Sequence, residues 1–339
     1  MNREQIGVML HTGDLSYPDI VSFARESERL GYDGFFLTEE SGKEAFSLLA
    51  LLAEKTESIR LGTSIVNFYS RTPTLLAMAA RSMHDLSGGR FGPLGLGTGG
   101  IGFMHRGHGI ELDRPLARAR ETVEIVRSLL REPRTSYDGK WFHVDDFHLR
   151  EGPLPEGTTI PLWLAALGPR MAAMSARVAD GMITNWLIPE SLEEYRQLIK
   201  VECDKAGRDP SDVRIATLLM VCSDSAAEDA RRAARRGVAF YCASEHYLHI
   251  ADLAGLGERA REVKDVWETR DFDAAAALVS DEMLERFTVF GTEEQCTARV
   301  RWLLDEGVYP IVYPLPRHHT MRDDHFATVE NVARWAGMA

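Results

Sequence analysis

The sequence predicts an α/β fold built as a (β/α)8 TIM barrel with insertions, and three observations predict it. Predicted helices repeatedly end at a glycine that leads within a few residues into a short apolar run, as in "FARESERLGYDGFFLTEE", "SARVADGMITNW" and "RWLLDEGVYPIVYPL". The runs carry no polar alternation, which is the pattern of strands covered on both faces. Eight such runs alternate with helical stretches along 339 residues, the succession that closes a parallel barrel.

Taken in order, the predicted strands span residues 6–10, 34–37, 59–64, 91–95, 162–165, 181–184, 214–221 and 309–313. Gly31, Gly181 and Gly307 each precede a strand because glycine takes the left-handed turn after a helix without a Cβ penalty. Between the fourth and fifth strands, a helix over 114–130 carries Leu116, Ala119, Val123, Val126 and Leu130 on one stripe, with Asp113 and Pro115 as start signals. Two connections are too long for plain loops. The first, about 134–161, contains "YDGKWFHVDDFHLREGPLP", whose aromatic residues and Asp-Gly turn predict a hairpin. The second, about 240–285, contains the helical stretches "YCASEHYLHIADL" and "AREVKDVWETRDF". Long ordered insertions serve as lids or binding walls. Without a Ser-, Gly- or Pro-rich linker, residues 1–339 read as a single barrel domain.

Composition narrows the partners. Fifty-one acidic against 39 basic residues give a formal charge of −12, which disfavours nucleic acid and anionic membranes because both need a basic surface. No apolar run is long enough to cross a bilayer, and "MNREQIGVML" lacks the features of a secretory signal, so the expected location is the cytoplasm. Cys203, Cys222, Cys242 and Cys296 form no C-x-x-C pair and read as reduced, buried residues rather than a zinc or disulfide framework. The pairs His105/His108 and His246/His249 lack an evident third ligand, so no metal is expected, and the first pair reads as part of a loop.

"GLGTGGIG", residues 95–102, carries the G-x-G-x-x-G spacing of a dinucleotide fingerprint. It follows the fourth strand instead of the first, no helical periodicity follows until beyond Asp113, and no acidic strand end answers it. It therefore reads as the fourth βα loop of a barrel, at the mouth where such enzymes build their sites.

The ordered set "IRLGTSIVNFYSRTPTLLAMAARSMHDLSGGRFGPLGLGTGG", "PLARARETVEIVRSLL", "IPLWLAALGPRMAAMSARVADGMITNW" and "VFGTEEQCTARVRWLLDEGVYPIVYPL" resembles the luciferase-like monooxygenase superfamily, and especially its branch using coenzyme F420. The resemblance implies a TIM barrel, usually a homodimer, that binds F420 or alternatively FMN at the mouth. It also implies a non-prolyl cis peptide at Ser64–Ile65 backing the ring, and a phosphate site at "LGPRM", with Gly168, Pro169, Arg170 and Met171. The residue chemistry agrees, since Gly168 permits close approach, Pro169 suits a first helical turn, and the free N–H groups there can hold an anion.

The strand ends at the mouth offer His11 and Thr12, then Thr38, Glu39 and Glu40, then Asn67 and Tyr69, Thr98, and Asn185 with Trp186. Thr38, Ser64, Ile65, Asn67, Gly97, Thr98 and Asn185 are the candidate ring-binding residues. Glu39 and Glu40 point to opposite sides of an extended segment. Relatives often carry an acidic residue followed by His at this place, and this chain has Glu40 in the His position. A carboxyl group desolvated against the ring has a raised pKa and can donate a proton. Glu40 is therefore the first catalytic candidate, with His11 and Glu39 beside it. Arg71, Arg106 and Arg170 favour the coenzyme with the more negative tail. The expected function is F420-dependent hydride transfer to or from a small organic substrate. The alternatives are an FMN-dependent monooxygenase using O2 and a non-catalytic flavin-binding barrel.

Overall fold

The computed structural model describes residues 5–13, 15–39, 41–222, 228–315 and 321–338. The chain opens with β1 (Gly7–Leu10), α1 (Tyr17–Arg29), β2 (Gly34–Leu37), α2 (Ala45–Lys55), β3 (Arg60–Thr63), β4 (Val66–Asn67) and α3 (Pro73–Leu86). It continues through β5 (Leu94–Gly97), α4 (Ile101–His108), α5 (Pro115–Arg131), β6 (Arg134–Asp138) and β7 (His143–His148). Next come β8 (Leu162–Ala165), α6 (Pro169–Val178), β9 (Gly181–Asn185), α7 (Pro189–Ala206) and β10 (Arg214–Val221). The last part holds α8 (Glu228–Cys242), α9 (Glu245–Leu253), α10 (Gly257–Glu268), α11 (Phe272–Leu278), α12 (Asp281–Phe287), α13 (Glu293–Asp305), β11 (Tyr309–Pro314) and α14 (Met321–Trp335).

The sheet order is β3-β2-β1-β11-β10-β9-β8-β5-β4, and every pairing in it is parallel. β3 and β4 are one strand interrupted at the Ser64–Ile65 peptide, which is cis as the resemblance implies. Thr63 closes the ring: its N–H donates to Pro93 O at 3.2 Å, and its hydroxyl exchanges bonds with Gly95 O at 2.8 Å and Gly95 N at 2.9 Å. The result is an α/β barrel of parallel strands wrapped by helices.

Alternation along the strands sorts inward from outward residues. Met9, Phe36, Trp163, Ile183, Ala216, Tyr309 and Ile311 form an inner cluster, with Ile65, Leu218 and Tyr313 packed against it. The larger core lies between the strands and the surrounding helices. A third cluster joins α8 to α12 with Trp186, Met220 and Leu315 above one side of the barrel, and Tyr313 packs against both this cluster and the inner one.

Three expectations need correction. Gly181 takes no left-handed turn: α6 ends in extended backbone at Ala179, and Gly181 is the first residue of β9, where a Cβ would come 2.7 Å from the Trp163 ring. The fourth barrel strand is displaced to Leu94–Gly97, with Phe91 making only an isolated bridge to Leu61. Pro93 explains the shift: within the sheet residues 90–93 bond only toward β3, with Gly92 N donating to Leu61 O at 2.8 Å, and because Pro93 has no N–H the bonds toward β8 start with Leu94 N donating to Pro161 O at 2.9 Å. The glycine run also opens directly into α4, so His105 and His108 lie on a helix instead of a loop. Residues 134–148 form the antiparallel hairpin β6–β7. No helix among the described residues is long and apolar enough to cross a membrane.

Candidate active site

The upper inward layer follows from the inner cluster by steps of two. It places His11 beyond Met9, Thr38 beyond Phe36, Ala165 beyond Trp163, and Asn185 beyond Ile183, with Ile65, Leu218 and Tyr313 completing the ring. Gly97 belongs to the same layer: a Cβ there would come 2.8 Å from Ile65 Cδ1 and 3.1 Å from the Ala165 Cβ. The mouth is thus lopsided. Ile65, Gly97 and Ala165 make a low apolar floor on one side, while Thr38, His11, Tyr313 and Asn185 make a polar crescent on the other. The His11 and Tyr313 rings lie 4.8 Å apart.

The bulge at Ser64–Ile65 is sewn to the end of β2. Ser64 N donates to Leu37 O at 2.8 Å, and Ile65 O accepts from Glu39 N at 3.1 Å. Ser64 Oγ is buried with no hydrogen-bond partner among the described residues, a deficit that a polar ligand edge can satisfy. Asn67 uses its Oδ1 on the N–H groups of Tyr69 at 3.1 Å and Ser70 at 2.7 Å, closing the turn after β4. Thr98 donates to Gly99 O at 3.1 Å, and Gly99 has φ +74°, a left-handed turn that suits glycine. Thr12 and Lys43 tie the first two loops together, Lys43 N donating to Thr12 Oγ1 at 3.1 Å and Lys43 Nζ to Leu15 O at 2.6 Å.

Glu39 is held in a fixed arrangement. Arg71 grips both its oxygens, reaches Glu44 at 2.6 Å, and lies over the Phe46 ring at 5.3 Å. The Glu39 carboxylate beside it raises the Arg71 pKa, more than burial lowers it. Arg71 is therefore spent inside the protein and is not available to an anionic tail. Glu40 lies outside the described residues.

At the start of α6, Gly168 caps the helix without a side-chain bond, and a Cβ there would meet nothing within 4 Å. Met171 N and Ala172 N both donate to Gly168 O at 3.1 Å, which leaves the Arg170 N–H as the open donor of the first turn after Pro169. The exposed Arg170 and Arg106 side chains make no hydrogen bond or ion pair among the described residues.

Asn185 ties the top of β9 to the inserted helices. Its Oδ1 accepts from Trp186 N at 2.9 Å and its Nδ2 donates to the Tyr247 hydroxyl at 3.2 Å. Trp186 holds a left-handed backbone, φ +55°, and its indole stacks on Phe287 at 4.2 Å. Sequence reasoning did not single out Tyr313, Ala165 or Tyr247. Tyr313 was within reach, since it lies two residues beyond Ile311 on a predicted strand. Tyr247 carried no signal, because only folding brings the insertion to β9.

A profile described as Luciferase-like monooxygenase matches residues 3–309. The 5,10-methylenetetrahydromethanopterin reductase of Methanolobus tindarius is 30% identical over 300 residues, 88% of this chain and 90% of its own. The protein of that name from Archaeoglobus fulgidus is 31% identical over 309 residues, 89% and 91% of the two chains. Among solved structures, the coenzyme F420 dependent tetrahydromethanopterin reductase from Methanopyrus kandleri superposes with TM-score 0.82 at 22% identity, covering 98% of each chain. An F420-dependent secondary alcohol dehydrogenase in complex with an F420-acetone adduct gives 0.76 at 18% identity, covering 97% of this chain and 99% of that one. These two share the fold. The profile covers most of the barrel and the reductases match it over most of their length, and on that ground the chain belongs to the luciferase-like monooxygenase family.

Proposed function

We propose that the chain is an F420-dependent oxidoreductase that transfers a hydride between the deazaflavin and a small organic substrate. The observation that carries this reading is the lopsided mouth, whose apolar floor at Ile65, Gly97 and Ala165 suits a flat tricycle and whose polar crescent suits the reacting group. The orphaned Ser64 hydroxyl supports the fit. The reductases similar over most of the chain agree with it, and so do two structural neighbours whose names carry F420.

In this reading Thr38, Ser64, Ile65, Asn67, Gly97, Thr98 and Asn185 surround the ring. Gly168, Pro169, Arg170 and Met171 hold the phosphate, through the open first turn of α6 and the unpaired guanidinium. The bound deazaflavin supplies the hydride. His11 carries protons between mouth and solvent, and Glu39, clamped by Arg71, positions the end of β2 and shapes the field there. The net charge of −12 supports a small-molecule substrate with no nucleic-acid partner. The exposed face of α3, with Leu75, Met78 and Leu86, supports a homodimer. Four free, buried cysteines support a reducing, cytoplasmic setting.

Separate fluorescence-quenching titrations with oxidised F420, FMN and NAD(P) test this reading. F420 is expected to saturate the site. Saturation by FMN with no response to F420 overturns the assignment in favour of a flavin monooxygenase, and binding without any turnover leaves the non-catalytic flavin-binding barrel.

A further inference from the structure

The inserted helices bring one functional group to the mouth that the strands do not provide. Tyr247, on α9, is only 8% exposed, and its oxygen lies 3.2 Å from Asn185 Nδ2 at the top of β9. The direction of that bond is settled by the backbone. Asn185 Oδ1 already accepts the Trp186 N–H at 2.9 Å, so the amide nitrogen faces the phenol and the phenol must accept. The Tyr247 O–H proton is therefore left over, and it has no acceptor among the described residues. A buried hydroxyl in this state is a donor waiting for an acceptor.

The surroundings define the acceptor. Tyr247 belongs to the cluster of inserted helices, with the Trp186 ring edge-on at 4.9 Å. Tyr313 packs between this cluster and the inner barrel layer, beside His11. Asn185, Tyr313 and His11 belong to the polar crescent of the mouth, and Arg71, on the loop after β4, is consumed by Glu39 and Glu44. Uncharged donors suit a neutral oxygen better than a carboxylate or phosphate, which calls for a charged partner.

We infer that Tyr247 is a catalytic proton donor, giving its O–H to the oxygen of a substrate carbonyl as that carbon receives the hydride. This rests on the hydride-transfer reading above. A C–H bond forms at the carbonyl carbon with the hydride pair, while the C=O π pair moves to oxygen. That oxygen takes the Tyr247 proton, the product is the alcohol, and the reduced deazaflavin is oxidised. The tyrosinate keeps the Asn185 Nδ2–H bond, which favours the charged form, and regains a proton from solvent. Burial holds the resting phenol above its usual range, more than the Asn185 bond lowers it, so the group stays protonated until an oxygen with developing negative charge meets it.

The test compares wild type with Tyr247→Phe, which keeps the ring and removes only the hydroxyl. The measurements are F420 affinity by fluorescence quenching, the thermal midpoint, and reduction of three- to six-carbon ketones by reduced F420. A fourth measurement is the infrared carbonyl band of isotope-labelled acetone held with oxidised F420. The expected result is a fall in kcat of about a hundred- to a thousandfold, with F420 affinity within about twofold of wild type. The labelled band moves to higher frequency as the carbonyl loses its hydrogen bond. Incorporating 3-fluorotyrosine at position 247 keeps the phenol as a donor and is expected to restore most of the kcat that Tyr247→Phe loses. Failure of wild type to bind F420 sinks the functional reading itself. Wild type that binds F420 while the variant keeps kcat within about threefold, or shows an unmoved carbonyl band, overturns the role of Tyr247 alone. A parallel loss of kcat, F420 affinity and thermal midpoint also overturns it, leaving Tyr247 as a packing residue.

Discussion

At Gly97, a single methyl group separates an open floor from a filled one. A Cβ there would sit 2.8 Å from Ile65 Cδ1 and 3.1 Å from the Ala165 Cβ. Ala165 is short and fixed to its strand, so Ile65, whose terminal carbons make the tighter contact, must yield and the floor is disturbed. Gly97→Ala is therefore expected to weaken F420 at least about tenfold, equivalent to about 1.4 kcal/mol, while the thermal midpoint moves little. Unchanged affinity in a quenching titration would show that the ring does not lie on this floor. The glycine was readable in sequence as a close-approach position, and so were the strand-end residues Thr38, His11 and Asn185, because strand ends and the period of two locate a barrel's mouth. Pairings were not readable. Glu39 and Arg71 lie 32 positions apart, and nothing local marks one as the other's partner. The Asn185 amide likewise finds Tyr247 only across 62 positions.

Elements with a clear start and stop were legible, and those with mixed signals were not. The strands after Gly31 and Gly307 were predictable because each glycine ends its helix in the left-handed conformation, whereas at Gly181 the apolar run alone marked the strand, since α6 ends in extended backbone at Ala179. α4 escaped because Gly102 and Gly107 lie inside it, each costing about 1 kcal/mol of intrinsic helix preference. Tertiary structure restores it through buried Met104 and the left-handed Gly109, which ends the helix with Gly109 N donating to His105 O at 3.2 Å and Ile110 N to Met104 O at 3.0 Å. The hairpin β6–β7 was legible from Asp138–Gly139, but its attachment was not. It climbs α5 one turn at a time, from Ser128 against Thr135, through Glu124 against Tyr137, to Glu121 under the tip. Glu121 is 1% exposed and accepts the N–H groups of Lys140 at 3.1 Å, and of Trp141 and Phe142 at 2.9 Å each. Above it, the Arg118 guanidinium lies 5.1 Å from the Trp141 ring and 5.4 Å from the Tyr69 ring, linking the tip to the turn after β4. Glu121→Ala leaves three donors without their acceptor and is expected to cost about 2–4 kcal/mol. Hydrogen exchange should quicken across residues 134–148 while the barrel strands stay protected. Uniform loss of protection would mean that the hairpin is not a separable element.

Seen as a whole, the molecule is unevenly covered. The cluster of inserted helices roofs the side of β9, β10 and β11, whereas α3, beside β4 and β5, shows apolar side chains to solvent. Leu75, Met78 and Leu86 are 47%, 44% and 61% exposed, and at 100° per residue they fall within an arc of about 80° on one helix face. Scattered exposed leucines need no explanation, but a stripe along one helix is the pattern that a second copy of the chain can bury. The stripe also reaches the active site. α3 is capped by Thr72, whose hydroxyl accepts from Leu75 N at 3.2 Å, and Arg71 stands next to that cap holding Glu39. In the proposed homodimer, burial of α3 would steady the loop that fixes the end of β2. The double variant Leu75→Glu with Met78→Glu places like charges on both copies of a two-fold interface. Sedimentation should show a dimer for wild type and a monomer for the variant with an unchanged circular dichroism spectrum, and F420 affinity should fall several-fold as the Arg71 loop loosens. A wild type that sediments as a monomer rules out the homodimer. A monomeric variant with full F420 affinity would show instead that the Arg71–Glu39 clamp stands without support from α3.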